Sequence, residues 1–250
     1  MAQPALSPIA KPEQPEMAEL RMRFAGVDIA LDPAGALWLP ASRTLVVADL
    51  HLEKASALAR RRVFLPPYDS AATLSALARL IARRDPARVI CLGDSFHDDD
   101  GAGRLGVPEK ARLGALQAGR EWVWISGNHD PALPADLPGT RANVVLADGL
   151  TLRHEPQQNA AHGEVAGHLH PAAKVRRHGR SVRRRAFVSD GTRLILPAFG
   201  VLTGGLNVLD RAFASLFGDH GLRAFMLGKA RVYAVARAAL RPDLEIGFAA

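Results

Sequence analysis

The residues most able to do chemistry fall in five short clusters: Asp49-Leu50-His51, Gly93-Asp94, Gly127-Asn128-His129-Asp130, a lone His154, and Gly167-His168-Leu169-His170. Carboxylate, imidazole and amide oxygen are ligands for hard or borderline divalent metals such as manganese, iron or zinc, and these clusters offer no thiolate. In Asp49-x-His51 and His168-x-His170 the two-residue spacing sends both side chains to one side of an extended strand, so each pair can reach one site. Two ions roughly 3.5–4 Å apart need a bridging oxygen, and the Asp94 carboxylate can bridge where a neutral imidazole cannot. The glycines beside Asp94, Asn128 and His168 would let the backbone turn sharply out of a strand. Together these residues describe a two-metal hydrolytic centre, in which bound water falls from a pKa of about 15.7 toward ~7 and attacks directly as hydroxide.

Such a centre needs elements that deliver its ligands to one edge. Thr44–Ala48, Arg88–Leu92 and Glu121–Ser126 are short apolar runs, each followed closely by one cluster, and they read as strands buried on both faces. Between them, Asp69–Arg84 carries apolar residues at helical spacing and ends in cations, and Pro108–Ala118 opens with a first-turn proline. The first half therefore predicts β-α-β-α-β, preceded by a hairpin over Leu20–Pro40 turning at Asp32-Pro33-Ala34-Gly35. From Asn143 onward short strands dominate, and two of them end at His154 and His168. Ligands at the carboxyl ends of strands converge in open α/β sheets. No internal repeat and no Gly/Ser linker divides the chain, so residues 20–250 are expected to form one domain behind a flexible, proline-bearing tail over residues 1–19.

Composition narrows the partners. The 250 residues are 48% apolar and 23% charged, the balance of a globular protein. No apolar run is long enough for a membrane helix, and the amino terminus lacks the apolar core of a secretion signal, so a cytoplasmic protein is expected. The single cysteine, Cys91, excludes an internal disulfide framework and a cysteine-rich zinc module. Net charge is +7, and of the 32 basic residues only five are lysine, which favours an anionic partner such as phosphate. Eight of those cations fall between Pro171 and Arg193 against one acid, Asp190, and the rest of the chain balances. Arg176, Arg177, Arg183, Arg184 and Arg185, with the Arg60–Arg62 run, are therefore candidate contacts to a polyanionic backbone. Few aromatics interleave with them, which favours phosphate contact over base stacking and argues against sequence-specific readout. His97 is a candidate substrate contact, whereas Asp99 and Asp100 read as solvent-facing, and His162, His178 and His220 as ordinary histidines. The glycine-rich stretch from Pro197 to Asn207 fits either a phosphate cradle or a loop packed beneath the metal site, and it matches no nucleotide-binding fingerprint.

In their order along the chain, the five clusters resemble the signature of the calcineurin-like metallophosphoesterases. That resemblance implies a four-layer αββα sandwich of two mixed sheets flanked by helices. It also implies one metal on Asp49, His51, Asp94 and His170, and a second on Asp94, Asn128, His154 and His168. Manganese is the first expectation for both ions, with iron or zinc as alternatives. His129 would serve as the proton donor and Asp130 would orient it. The longer stretches ADLHLEKAS, LPPYD, LGDSFHDDDG, WISGNHDP, RHEP, GHLHP, LPAFG and TGGLNV are similar to the ligase-associated DNA damage response branch, described as endonucleases and encoded beside a DNA ligase, an exonuclease and a helicase. The expected activity is hydrolysis of DNA phosphodiester bonds with little sequence preference. Two alternatives stand beside it: a phosphoesterase or phosphatase on small substrates such as nucleotides, and a non-catalytic nucleic-acid-binding repair partner. A nuclease would lose rate on DNA as salt rises, and a small-substrate enzyme would not.

Overall fold

A computed structural model of the chain describes residues 18–159, 161–217 and 221–243. Residues 1–17 of the expected tail, and His220, lie outside the described residues. The last two residues of that expected tail are already built into the fold: the Ala18 amide donates to the Ala230 carbonyl at 2.7 Å, and Glu19 pairs with Arg21 and Arg84.

The first sheet has seven strands in the order β1 (Leu20–Phe24), β2 (Val27–Leu31), β3 (Leu37–Leu39), β4 (Thr44–Val47), β5 (Arg88–Leu92), β6 (Glu121–Ile125) and β7 (Thr140–Ala142). The expected hairpin is a three-stranded meander. The Asp32–Gly35 turn joins β2 to β3, and a second, two-residue turn at Ala25-Gly26 joins β1 to β2, both of its residues having positive φ (50° and 82°) as a primed hairpin turn requires. From β4 to β7 the strands run parallel, the first two connections through helices and the third through an irregular loop. Between β4 and β5 lie α1 (Lys54–Arg60), too short to leave a clear periodic pattern, and α2 (Asp69–Arg84); between β5 and β6 lie α3 (Gly101–Arg104) and α4 (Val107–Gln117). Arg83 and Arg84, which end α2, both reach the buried Asp32 carboxylate, at 2.6 and 3.0 Å, and so fasten the helix to the β2–β3 turn.

The second sheet contains β8 (Val144–Ala147), β9 (Leu150–Arg153), β10 (Glu164–Ala166), β11 (Pro171–Arg177), β12 (Arg180–Ser189), β13 (Arg193–Ile195) and β14 (Leu206–Asn207). After α5 (Arg211–Ala214) come β15 (Arg223–Leu227), paired to β12, and β16 (Val232–Ala236), paired to β15. Strand β9 runs parallel to β10, and β10 to β13, so the chain leaves β9 and β10 at the same edge.

Period-two alternation assigns each buried strand residue to a layer. In β4, β5 and β6 the residues Val46, Ile90, Leu92, Val123 and Ile125 face the second sheet, against Leu152, Val165, Phe187, Leu194 and Leu196. Their neighbours Leu45, Val47, Val89, Cys91, Trp122 and Trp124 face outward onto Leu74, Leu77 and Leu80 of α2 and Leu113 and Leu116 of α4. Strands covered on both sides must be apolar throughout, which is why these three runs show no amphipathic pattern. On the far side of the second sheet, α5 and its flanks supply Val208, Phe213 and Phe217 against Ala186, Val188, Ile195 and Met226. The layering is helices, sheet, sheet and a thin helical layer, as the resemblance implied. Phe187 is fully buried between the sheets and distant in sequence from every candidate ligand. Phe187→Ala is expected to cost about 3–5 kcal/mol of unfolding free energy, measured by urea denaturation.

Candidate metal centre

The carboxyl ends of β4, β5 and β6 from one sheet and of β9 and β10 from the other meet at one seam, and loops cross it in both directions. Both carboxylate oxygens of Asp49, just beyond β4, accept the His168 amide at 3.2 and 3.1 Å. Conversely, the Nδ1–H of His154, just beyond β9, donates to the Leu92 carbonyl at the end of β5, at 2.9 Å. That bond fixes the tautomer and leaves Nε2 as a lone pair.

Backbone geometry replaces strand alternation as the device that gathers the ligands. Asp49, His51, Asp94, His168 and His170 all lie outside regular strands and have φ of 53°, 42°, 44°, 70° and 46°. This left-handed region costs a side-chain-bearing residue about 1–2 kcal/mol, least for short polar residues that bond locally. Five candidate ligands sharing it mark strain concentrated at one site. The expected role of the glycines is corrected accordingly. Only Gly93 takes positive φ (69°), whereas Gly127 and Gly167 are needed because a methyl group there would strike the ligands: Asp94 from Gly127, and the Asp49 carboxylate, at 2.8 Å, from Gly167.

Among the described residues three donor groups form: two share Asp94, and a third, of His51, His97 and His129, contains no carboxylate. Asp49, His51, Asp94 and His170 each turn a ligand atom into one group, and Asp94, His154 and His168 into the other. One Asp94 oxygen lies 3.7 Å from His51 Nε2 and the other 3.4 Å from His154 Nε2, so the carboxylate faces both sets at once. In the first set, His51 Nε2 and His170 Nε2 stand 3.2 Å apart and Asp49 Oδ1 lies 3.4 Å from His170 Nε2. In the second, Asn128 Oδ1 lies 2.9 Å from both His154 Nε2 and His168 Nδ1, which are 3.2 Å from each other. Burial lowers the proton affinity of His168, and it lowers that of His51, with help from His170 and Lys54, to about 2. Neutral imidazoles are the form that ligates metal. Lone pairs converging around two buried carboxylates (Asp49 fully buried, Asp94 1% exposed) make a donor set that fits divalent cations.

His129 stands beside this centre and contributes to neither set that holds Asp94. Its amide donates to Asp94 Oδ1 at 2.9 Å, and its ring Nδ1 donates to the His97 carbonyl at 2.9 Å. Asp130, expected to orient His129, instead accepts the amides of Ser95, Phe96 and Gly127 at 2.7, 3.0 and 3.1 Å. Its carboxylate ties the Asp94 loop to the Asn128 loop, and burial lifts it to about 6 against the lowering pull of those amides. The orienting contact comes from His97, whose ring also stacks on His129 with centroids 5.1 Å apart and meets the His51 edge. Lys54, at the start of α1, was missed in the sequence because nothing marks a lone lysine. After burial, its charge is the largest influence depressing His97, to about 4, which places it at this cleft.

The basic hairpin of β11 and β12 divides its cations between structural contacts and open solvent. Arg183 binds Asp243 at 2.9 Å and the Gly205 carbonyl, and Arg185 is inserted against the Ala198 and Phe199 carbonyls at 2.6 and 3.2 Å. Both guanidinium groups brace the fold. Arg176 and Arg177 are exposed near the hairpin tip, about 20 Å from His170 at ~3.3 Å of strand rise per residue, and Arg184 is exposed along β12. Asp99 and Asp100 are exposed, as are His162 and His178. In the glycine-rich stretch, the Phe199, Gly200 and Leu206 amides donate to the Ala48, Asp49 and His170 carbonyls, so this loop supports the ligand loops from beneath. Gly127→Ala is expected to drive the Asp94 and Asn128 loops apart, lowering both metal content and turnover by at least about ten-fold, as metal analysis and initial rates would show.

The match to calcineurin-like phosphoesterase spans residues 42–237. Among solved structures, the Pseudomonas putida nuclease MPE is similar at 28% identity and a TM-score of 0.68, covering 87% of this chain and all of that one. YfcE, a phosphoesterase from E. coli, is 16% identical with a TM-score of 0.36, over 77% of this chain and 98% of that one. No curated protein matches the chain. With a shared carboxylate between two donor sets and a family match over most of its length, the chain belongs to the calcineurin-like phosphoesterase family, whose members are hydrolases acting on phosphoric esters.

Proposed function

We propose that this protein is a nuclease that hydrolyses phosphodiester bonds of DNA, with little sequence preference, using two divalent cations. The observation that carries the reading is Asp94, whose two oxygens face separate donor sets while its Oδ1 also accepts the His129 amide. Similarity to a solved nuclease over 87% of the chain supports nucleic acid as substrate. The oxygen and nitrogen donors suit manganese, and iron or zinc would also be accepted. The resemblance to the ligase-associated branch suggests a place in DNA repair beside a ligase, an exonuclease and a helicase.

When bound, two such cations supply an acidified water and positive charge against the scissile phosphate. Asp49, His51, Asp94 and His170 would hold one, and Asp94, Asn128, His154 and His168 the other. The protein's own steps lie with His129 and the surrounding cations. With Nδ1–H given to the His97 carbonyl, it is the imidazolium form of His129 that donates, its Nε2–H passing to the leaving oxygen and the ring returning to neutral imidazole, so no alkoxide need depart. Lys54, beside His51 and His97, offsets charge that builds on the phosphoryl oxygens. The exposed Arg176, Arg177 and Arg184 follow the phosphate backbone away from the centre.

The deciding experiment is cleavage of end-labelled single- and double-stranded DNA by the manganese-loaded protein, with Asp94→Asn as the control. Wild type should cut and Asp94→Asn should fall below detection with reduced metal content; hydrolysis of a simple synthetic diester without any cleavage of DNA would move the substrate to small phosphoesters. His129→Asn should keep the metal content of wild type and lower turnover by about 10²–10⁴-fold, the usual contribution of a proton donor. Loss of metal in that variant would instead make His129 a ligand.

A further inference from the structure

Resting on the DNA reading above, we infer that the segment from Lys54 to Tyr68 is a second subsite, a stacking platform that takes an unpaired base of the DNA strand beside the metal centre. Phe64 and Tyr68 are 81% and 72% exposed, and they lie in one loop directly after α1. Large aromatic rings left in water by a folded chain mark an interaction site when they cluster. Such rings are what the basic hairpin lacks.

The loop is held in place. At its start the chain reverses tightly, with the Val63 amide donating to the Leu58 carbonyl at 3.0 Å. At its end Ser70 Oγ accepts the Glu53 amide and donates to the Glu53 carboxylate, both at 2.8 Å, and Asp69 accepts the Ala55 amide at 3.1 Å. Glu53 and Ala55, which hold this end, follow His51 by two and four residues, so the loop is fastened to the segment that carries the first donor set. Pro66 and Pro67 restrict the stretch between the rings, which limits the entropy lost when a ligand binds.

Charge complements the rings. Lys54 and Arg61 both act on His97, and among the described residues neither Arg61 nor Arg62 has an ion-pair partner, whereas Arg60 is taken by Asp100 at 2.7 Å. Free cations beside exposed rings match a nucleic-acid strand, in which phosphates alternate with bases that have two stackable faces. A duplex conceals those faces within its own stack, a phosphoester without a base offers nothing to stack, and a free nucleotide offers a base but no run of phosphates for several cations. The ligand that fits both features is therefore a strand with at least one unpaired base next to the scissile phosphate.

The test compares wild type with the Phe64→Ala/Tyr68→Ala double variant, manganese-loaded, on an unstructured single-stranded oligonucleotide, on a blunt duplex and on bis(p-nitrophenyl) phosphate. The expected result is a KM for the single strand raised about ten-fold or more, with duplex and synthetic diester changed less than about two-fold; stacking lost at ~1–3 kcal/mol per base corresponds to this range. Phe64→Tyr/Tyr68→Phe, which keeps both rings, should restore the wild-type KM. Unchanged single-strand kinetics would overturn the inference, as would an equal loss on all three substrates. A double variant with normal DNA kinetics and a smaller sedimentation coefficient would make the surface a contact between copies of the chain. If wild type hydrolyses the synthetic diester and no DNA, the substrate reading itself fails, an outcome distinct from failure of the platform alone.

Discussion

Two buried carboxylates constrain everything around them. Asp49 and Asp94 lie at the seam of the two sheets at 0% and 1% exposure, without a lysine or arginine ion-pair partner among the described residues. A buried anion is costly unless it is paired, hydrogen-bonded or bound to a metal. Here backbone amides of His168 and His129 supply part of the compensation, and inward-facing imidazoles surround the rest. The seam thus fits a cation because of the electrostatics that the two sheets impose where they meet.

Holding that arrangement requires a backbone that most side chains avoid. The left-handed residues at Asp49, His51, Asp94, His168 and His170 are stabilised by their surroundings: amides of the Pro197–Asn207 loop bond the carbonyls of Asp49 and His170 from below, and Asp130 ties Ser95, Phe96 and Gly127 into one unit. Apolar packing on both faces of β4, β5 and β6 then anchors the loops to rigid strands. The ligand atoms consequently arrive already placed, which is what a site that must hold charge in a fixed geometry needs.

Positive charge is distributed with two distinct purposes. Arg183, Arg185, Arg83 and Arg84 are spent on carboxylates and carbonyls that hold turns and loops together. Lys54 and Arg61 border the cleft, and Arg176 and Arg177 stand far out along the hairpin. A long basic run in sequence is therefore a mixture of bracing and unengaged cations, and only their tertiary partners separate the two, since Arg183 braces the fold while exposed.

Much of this was legible in the chain itself. The donor types, their grouping at the ends of apolar runs and the α2 and α4 helices follow from residue chemistry and periodicity, which are local properties. The second hairpin turn at Ala25-Gly26 and the short α1 carried signals too weak to read, since a two-residue turn and a seven-residue helix offer little pattern. The partners of Asp130, the bracing roles of Arg183 and Arg185, and the bonds that fasten Asp69 and Ser70 to Ala55 and Glu53 could not be read at all. Each depends on which distant loops meet across the sheet seam, as in the bond from Asp130 to Ser95, 35 positions away. The sequence by itself determined which atoms could hold a cation and which faces had to be buried; the tertiary structure alone decided which of them converge, because convergence depends on packing between segments that are remote along the chain.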